Sequence, residues 1–168
     1  IGRKAVPWLF LLIGLILLQF FSLGAIKPAQ GLLYELDSAY NYIQVIQEGD
    51  EFLLKLNEGE GIQSSYSAKQ LLTGYVYDYF LLVPIFRSQL HSPRVETLCI
   101  LGLAGGTIAQ QYHAVYGPLP IDGVEIDPAI IAVGRKYFGM NIPGLRALPR
   151  DGRHFLQNVE QLYDVLVL

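Results

Sequence analysis

The spacing of hydrophobic and polar positions changes twice along the chain. Residues 5–26 carry no charged side chain, and Gln19 and Ser22 are the clearly polar residues there. Between residues 32 and 65, apolar residues come in short runs separated by polar turns that contain glycine. From residue 94 onward, apolar runs of strand length alternate with longer segments of helical spacing. This order predicts an apolar helix, a small antiparallel sheet and an α/β unit.

The uncharged segment is long enough to cross a bilayer. A helix over residues 5–26 would reach roughly 33 Å, against a hydrocarbon core of about 30 Å. A cleaved signal peptide is the competing interpretation, but its apolar core is usually shorter and is followed by a small-residue cleavage site. We therefore predict a transmembrane helix within residues 1–27. Arg3 and Lys4 precede it, which favours a cytoplasmic N-terminus, although the chain does not begin with Met and earlier helices would change that orientation.

Strand-forming residues dominate the next part of the chain, which we interpret as a β-domain over residues 28–70. Predicted strands lie at residues 32–36, 42–46, 51–56 and 62–65. Four such short strands form a meander that is too small to be stable without a neighbour. An aromatic-rich segment at residues 71–86 follows and is predicted to be helical.

The remainder predicts a parallel sheet with helices between its strands. The run at residues 97–101 is continuously apolar, as in a strand that is buried on both faces. Further strands are predicted at residues 121–126, 145–148 and 164–168, and helices at 108–115, 128–138 and 153–162. Asp127 and Pro128 are typical of a helix start, with Asp as the N-cap and Pro as the first helical residue. Residues 71–168 therefore predict a Rossmann-like, doubly wound α/β fold.

Composition excludes several classes of function. The formal net charge is −3 and no basic run occurs, so nucleic acid is not an expected partner. Cys99 is the one cysteine and lies in an apolar strand pattern, which indicates core packing. The three histidines are widely separated in the sequence, so no metal site is predicted.

A glycine-rich loop follows the first strand of the predicted parallel sheet. Ligands of such sheets bind at the carboxyl ends of the strands. Gly102, Gly105 and Gly106 lie at that point, where they would let the backbone approach a ligand beside a helix N-terminus. Many strand-to-helix turns look similar, so the loop alone leaves binding and simple turning equally open.

Two acidic positions complete the candidate site. Glu125 ends the second strand, about 20 residues beyond the loop, where an acid commonly accepts hydrogen bonds from ribose hydroxyls. Asp151 and Gly152 follow the third strand, where the acid would accept the adenine amino group and the glycine would allow close approach. A surface acid and a helix N-cap are the structural alternatives for the two carboxylates.

This arrangement fits either a dinucleotide or S-adenosylmethionine. The loop is not Gly-x-Gly-x-x-Gly, because Ala104 and Thr107 occupy the later glycine positions. No feature beyond the loop suggests a pyrophosphate clamp. The pattern therefore favours the S-adenosylmethionine-dependent methyltransferase type of Rossmann-like fold.

The same segments resemble the polyamine aminopropyltransferases, the spermidine synthase family. Matching stretches lie at residues 98–107, 124–128, 151–156 and 163–165. Upstream, Ser38-Ala39-Tyr40-Asn41 resembles the family's Ser-x-Tyr-Gln, and Leu-Asn-Glu-Gly at residues 56–59, followed by Gln63, resembles its Leu-Asp-Gly followed by Gln. The similarity extends over about residues 34–168 and is nearest to members in which membrane helices precede the synthase domain.

The resemblance implies a transferase of polyamine biosynthesis that moves an aminopropyl group from decarboxylated S-adenosylmethionine to a polyamine or another small amine. Glu125 would hold the ribose, and Asp151 and Gly152 would face the adenine. Asn41 and Gln63 would line the cofactor or amine cleft. The resemblance also implies an integral membrane protein, with its catalytic domain expected on the cytoplasmic side, and no metal.

Departures from the family keep other functions open. Ala104 or Gly105 stands where soluble synthases carry an Asp that binds the cofactor's amine, and Asn41 replaces Gln. The family's catalytic Asp is expected directly beyond Leu168, so no residue of this sequence is assigned that role, and Glu35 and Asp78 are weak candidates for supporting acids. The alternatives are a methyltransferase acting on another substrate, S-adenosylmethionine being its cofactor, and a non-catalytic nucleoside-binding domain of a membrane protein.

Overall fold

The described structure contains two four-stranded sheets of opposite type. The computed structural model describes residues 8, 11–15, 26–57, 61–87 and 94–168. The first sheet is antiparallel, with strand order β1-β2-β3-β4, and the second is parallel, with order β7-β6-β5-β8. Both types of sheet agree with the sequence prediction.

The antiparallel sheet is a simple meander. Its strands are β1 (Leu32–Asp37), β2 (Tyr42–Glu48), β3 (Glu51–Leu56) and β4 (Ile62–Ser67). Ile43, Val45 and Leu54 are fully buried and pack against Ile130 and Phe138 of the parallel unit. The small sheet thus gains the apolar neighbour that four short strands need.

The segment between the sheets is less helical than predicted. A 3₁₀ helix spans Val76–Leu82 and continues as α1 (Val83–Arg87), whereas residues 71–75 are not helical. The Asp78 carboxylate accepts hydrogen bonds from the N–H groups of Thr73 and Gly74, and Gly74 has a φ of +76°. This side-chain-capped turn competes with helix formation at the start of the segment.

Strands and helices alternate in the parallel unit, as the sequence predicts. They are β5 (Leu98–Leu101), α2 (Thr107–Tyr116), β6 (Ile121–Glu125), α3 (Pro128–Tyr137), β7 (Leu145–Pro149), α4 (Gly152–Asn158) and β8 (Val165–Val167). The predicted helix at residues 153–162 ends early, because Val159 is already extended, with φ −82° and ψ 128°.

Alternate side chains of the strands pack against helices on opposite faces of the parallel sheet. Leu98 and Ile100 join the core that contains Tyr112 of α2. Cys99 faces the other way and packs with Phe155 of α4. Helices therefore cover both faces, which is the doubly wound arrangement. Cys99 is a core residue, and burial, followed by the charge of Asp122, raises the pKa of its thiol to about 11.

The N-terminal membrane prediction needs correction. Most of the predicted span, residues 5–7, 9–10 and 16–25, lies outside the described residues. Within the part of the chain that the structure describes, no helix is both long and apolar enough to cross a membrane. On this finding the predicted membrane location is wrong.

Candidate nucleoside-binding site

A cavity lies at the carboxyl ends of β5 and β8. In the sheet order β7-β6-β5-β8, β6 and β7 lie on one side of β5 and β8 lies on the other. Such a switch point, where the chain leaves two neighbouring strands in opposite directions, is where doubly wound sheets bind ligands. The cavity has a volume of about 170 Å³, and Gln63, Tyr77, Gly102 and Val167 are among its lining residues. Gln63 and Tyr77 precede the parallel sheet in the chain, so the cavity is lined from outside that sheet as well as by the ends of its strands.

The glycine loop lines this cavity through its first residues. Gly102 has a φ of +83°, and a Cβ at that position would meet no atom within 4 Å. The glycine is therefore needed for its left-handed backbone, while the space beside it is open. Ala104 also lines the cavity and has a positive φ of 49°.

The other two loop glycines face the protein. The Gly105 N–H donates to Ser64 Oγ over 2.8 Å, and a Cβ at residue 105 would lie 2.8 Å from the Ser64 Cβ. A Cβ at Gly106 would lie 2.6 Å from Met140 Cγ, and its φ is +88°. These two glycines let the loop approach β4 and Met140 closely, which is a packing role.

Sequence reasoning missed the serines of β4. The Ser65 N–H donates to Thr107 Oγ1 over 3.1 Å, and the same hydroxyl donates to the Ser65 carbonyl over 2.9 Å. Ser64 and Ser65 are 1% and 3% exposed. The only signal in the sequence is a pair of small polar residues inside a strand. Together with Gly105, these contacts fix the start of α2 to the antiparallel sheet.

Glu125 lies at the end of β6, directly behind the loop. It is 7% exposed, so it is not the surface acid of the structural alternative. Its Oε2 accepts the Ala104 N–H over 3.0 Å, and its Oε1 accepts the Asp127 N–H over 3.2 Å. A carboxylate has about four acceptor positions. The two backbone donors therefore leave each oxygen with one further acceptor position.

Asp127 is the predicted N-cap and also binds the turn between β1 and β2. Its Oδ1 accepts the Ala129 N–H over 2.9 Å, which confirms the cap. Its Oδ2 accepts from Ser38 Oγ over 2.5 Å and from Asn41 Nδ2 over 3.1 Å. Asp127 is 1% exposed, so these donors from the β1–β2 turn compensate a buried charge.

The structure separates the two upstream site candidates. Gln63 lines the cavity, whereas Asn41 is not among the described residues that do so. The Asn41 amide instead bridges Asp127 and Asn57, whose Nδ2 donates to Asn41 Oδ1 over 3.1 Å.

Asp151 and Gly152 lie at the carboxyl end of β7. Asp151 is exposed, and its Oδ1 accepts the His154 N–H over 2.8 Å, so it caps α4. A Cβ at Gly152 would be 3.8 Å from the Leu101 side chain, an ordinary contact. Leu101 also lines the cavity, so Gly152 is next to a lining residue, whereas Asp151 and Gly152 are not themselves among the described residues that line it.

The two weak acidic candidates, Glu35 and Asp78, are not among the described residues that line the cavity. Glu35 accepts from the Tyr42 hydroxyl over 2.6 Å, and this bond holds the pKa of Glu35 below its ordinary value. For Asp78, burial raises the pKa, but hydrogen bonds from Thr73, Gly74 and Gln111 outweigh it and lower the pKa. Asp78 thus stabilises the turn at Thr73 and Gly74, whereas Glu35 also accepts the N–H groups of residues 26 and 27.

A hydrogen-bonded ion pair joins β6 and β7 near their amino ends, opposite the glycine loop. Asp122 on β6 is 3% exposed. It accepts from Arg146 Nε and Nη2 over 2.6 and 2.5 Å, and from the Tyr163 hydroxyl over 2.7 Å. Burial would raise the pKa of Asp122, but these hydrogen bonds and the Arg146 charge lower it overall. The network ties β6 to β7 and to the segment before β8.

Comparison with known proteins finds relatives of this chain in sequence and in fold. No protein-family model matches the chain. It is 33% identical over 158 residues to a probable polyamine aminopropyl transferase of Bifidobacterium longum (strain NCC 2705), covering 89% of this chain and 34% of that protein. It is 29% identical over 129 residues to a polyamine aminopropyltransferase of Vibrio vulnificus (strain CMCP6), covering 73% of this chain and 40% of that protein. The chain thus spans well under half the length of these relatives.

Solved structures share the fold. A probable spermidine synthase from Corynebacterium glutamicum ATCC 13032 superposes with a TM-score of 0.63 at 16% identity, covering 83% of this chain and 51% of that one. A spermidine synthase in complex with the transition state analogue AdoDATO gives 0.62 at 18% identity, covering 81% and 46%. These structures share the fold of the chain, and its sequence relatives show that the chain belongs to the polyamine aminopropyltransferase, or spermidine synthase, family.

Proposed function

We propose that this chain is the nucleoside-binding part of an aminopropyltransferase that uses decarboxylated S-adenosylmethionine and a small amine. The observation that carries the proposal is the buried Glu125 carboxylate, held against the glycine loop by the Ala104 N–H over 3.0 Å. Ala104 itself lines the cavity at the carboxyl ends of β5 and β8, so Glu125 is one hydrogen bond away from that lining. Acids in this position bind ribose hydroxyls.

Each end of the nucleoside has a candidate partner. Glu125 accepts the ribose hydroxyls with the acceptor positions that its two backbone donors leave open. Gly102 lets the backbone approach the ligand. Asp151 and Gly152, beside Leu101, accept and accommodate the adenine. Gln63 contributes an amide to the cavity from β4.

The reaction that fits these parts is a substitution at carbon. Decarboxylated S-adenosylmethionine supplies a carbon next to a sulfonium; as the amine nitrogen bonds to it, the carbon–sulfur bond breaks, leaving 5′-methylthioadenosine and a proton. The amine must be neutral to attack. The residues of this chain bind and orient the nucleoside, which brings the reacting atoms together.

The antiparallel sheet favours this reaction over ordinary methyl transfer. We propose that residues 28–70 form a covering domain and residues 71–168 the nucleoside-binding domain. The covering domain places Gln63 at the cavity and fixes the glycine loop through Ser64 and Ser65. A methyltransferase of the same fold class does not need such a cover, whereas a small amine must be enclosed beside the cofactor.

Calorimetric titration tests the proposal. Decarboxylated S-adenosylmethionine, S-adenosylmethionine and NAD are titrated into the wild type, Glu125→Gln and the matched control Glu35→Gln. We expect the decarboxylated form to bind best and Glu125→Gln to lose at least tenfold in affinity, because hydrogen bonds to a charged group contribute about 1.5–3 kcal/mol. Glu35→Gln should bind like the wild type.

Other outcomes would redirect the assignment. A preference for intact S-adenosylmethionine favours methyl transfer, and a preference for NAD favours a dinucleotide enzyme. If a folded wild type binds none of the three, or if Glu125→Gln binds as well as the wild type, the proposed function is wrong.

A further inference from the structure

The turn between β1 and β2 reaches across to the parallel unit. Ser38 and Asn41, from this turn, both donate to Oδ2 of Asp127, over 2.5 and 3.1 Å. Residues 38 and 127 are 89 positions apart in the sequence. Asp127 is 1% exposed, so these two donors replace water at that oxygen.

Asp127 in turn contacts the candidate ribose acid. Its backbone N–H donates to Glu125 Oε1 over 3.2 Å, while its Oδ1 holds the first turn of α3 through the Ala129 N–H. A shift of Asp127 would therefore move one of the two donors that orient the Glu125 carboxylate. The second donor, the Ala104 N–H, belongs to the glycine loop.

The turn is ordered by its own hydrogen bonds. Ser38 Oγ accepts the N–H groups of Tyr40 and Asn41 over 3.1 and 2.9 Å. Asn57 Nδ2 donates to Asn41 Oδ1 over 3.1 Å. Both side chains that bind Asp127 are thus held in place before any ligand arrives, which is the property of a support for a binding residue.

We propose that Ser38 and Asn41 are positioning residues for ribose recognition, acting on Glu125 through Asp127. This inference rests on the proposed nucleoside site. It differs from the role that the family resemblance implies for Asn41, a direct contact in the cofactor or amine cleft, because the Asn41 amide is engaged at both ends by protein groups. Their removal weakens recognition of the ribose hydroxyls and leaves the rest of the ligand's binding intact.

The test compares two ligands that differ only at the ribose. 5′-Methylthioadenosine and its 2′,3′-dideoxy counterpart, which lacks both ribose hydroxyls, are titrated calorimetrically into the full chain. The variants are Ser38→Ala, Ser38→Thr and Asn41→Ser, whose shorter side chain does not reach Asp127. Ser67→Ala is the matched control, a serine of the same sheet that accepts only from the nearby Lys69 N–H among its described hydrogen bonds. Thermal melts confirm that each variant is folded. If one of Ser38→Ala and Asn41→Ser does not fold, the other alone provides the test.

If the two residues position Glu125, their removal should lower the affinity only for the ligand that carries ribose hydroxyls. Ser38→Ala or Asn41→Ser should bind methylthioadenosine about tenfold more weakly, the equivalent of one hydrogen bond to a charged group. The same variants should bind the 2′,3′-dideoxy ligand within about twofold of the wild type, because that ligand presents no ribose hydroxyl to Glu125. Ser38→Thr restores the donor and should recover the affinity. In Glu125→Gln, Ser38→Ala should have little further effect, because residues that act as a unit are not additive.

Two results overturn the inference while leaving the nucleoside site in place. One is an equal loss for both ligands, which indicates a general structural role. The other is full additivity of Ser38→Ala with Glu125→Gln. A folded wild type that binds neither ligand overturns the proposed function itself, and the inference with it.

Discussion

The Gly105 N–H donates to Ser64 Oγ over 2.8 Å, so the glycine loop of the parallel sheet is fixed to the last strand of the antiparallel one. The loop's shape is therefore not a property of the parallel sheet alone. Thr107 adds two hydrogen bonds to the Ser65 backbone beside it. Binding at the cavity and packing of the two sheets should accordingly respond to the same substitutions.

Gly105→Ala should weaken both stability and nucleoside binding. The new Cβ would lie 2.8 Å from Ser64 Cβ and 3.1 Å from Phe138 Cγ, and such overpacking typically costs about 1–3 kcal/mol. Urea unfolding measures the loss. Gly152→Ala is the control for stability alone, because its Cβ meets nothing nearer than 3.8 Å and it begins a helix. Equal stability of the two variants would show that the loop does not pack against β4 as described.

Thr107→Val should destabilise the joint between the sheets. The substitution keeps the shape of the side chain but leaves the buried N–H and carbonyl of Ser65 without their described partner, at a cost of about 1–3 kcal/mol for each unsatisfied group. A lower melting temperature is expected, and Thr107→Ser, which restores the hydroxyl, should recover most of it. A valine variant as stable as the wild type would contradict the contact.

Asp122→Asn should make stability less dependent on pH in the acid range. The folded pKa of Asp122 is lowered, so its carboxylate contributes stability above its ordinary pKa of about 3.9. That contribution is lost as the pH falls through the lower folded pKa. The variant should thus be less stable than the wild type at pH 7, and the difference should shrink as the pH falls below about 4.

Urea unfolding between neutral and acid pH checks this. Asp50→Asn is the matched control, because it removes an exposed ion pair with Lys69 and should change the free energy of unfolding by no more than about 1 kcal/mol at any pH. A constant difference between wild type and Asp122→Asn across the range would contradict the assigned role of the Asp122 network.

Local patterns predict the strands, the caps and the order of elements well. The apolar run of β5 and the cap residues Asp127 and Asp151 are recognisable because period and capping chemistry depend on neighbours in the sequence. The segment at residues 71–75 is different. Its composition favours a helix, but the Asp78 carboxylate binds the backbone of Thr73 and Gly74 and forms a turn instead.

Contacts between segments that are distant in the sequence cannot be predicted from such local patterns. Nothing in the sequence around Ser38 indicates that its hydroxyl meets Asp127, and nothing around Ser64 indicates Gly105. Asn41 illustrates the consequence. Its family motif suggests a cleft residue, whereas the fold directs its amide to Asp127 and Asn57. Gln63, from the same sheet, does face the cavity.

The central claim is that Glu125 binds the ribose of a nucleoside at the glycine loop. A crystal structure of the chain with 5′-methylthioadenosine tests it most directly. We predict both ribose hydroxyls within about 2.7–3.2 Å of the Glu125 carboxylate oxygens, with the 5′-sulfur directed toward the cavity beside Gly102 and Gln63. A ligand bound elsewhere, with Glu125 still bonded only to Ala104 and Asp127, would contradict the account.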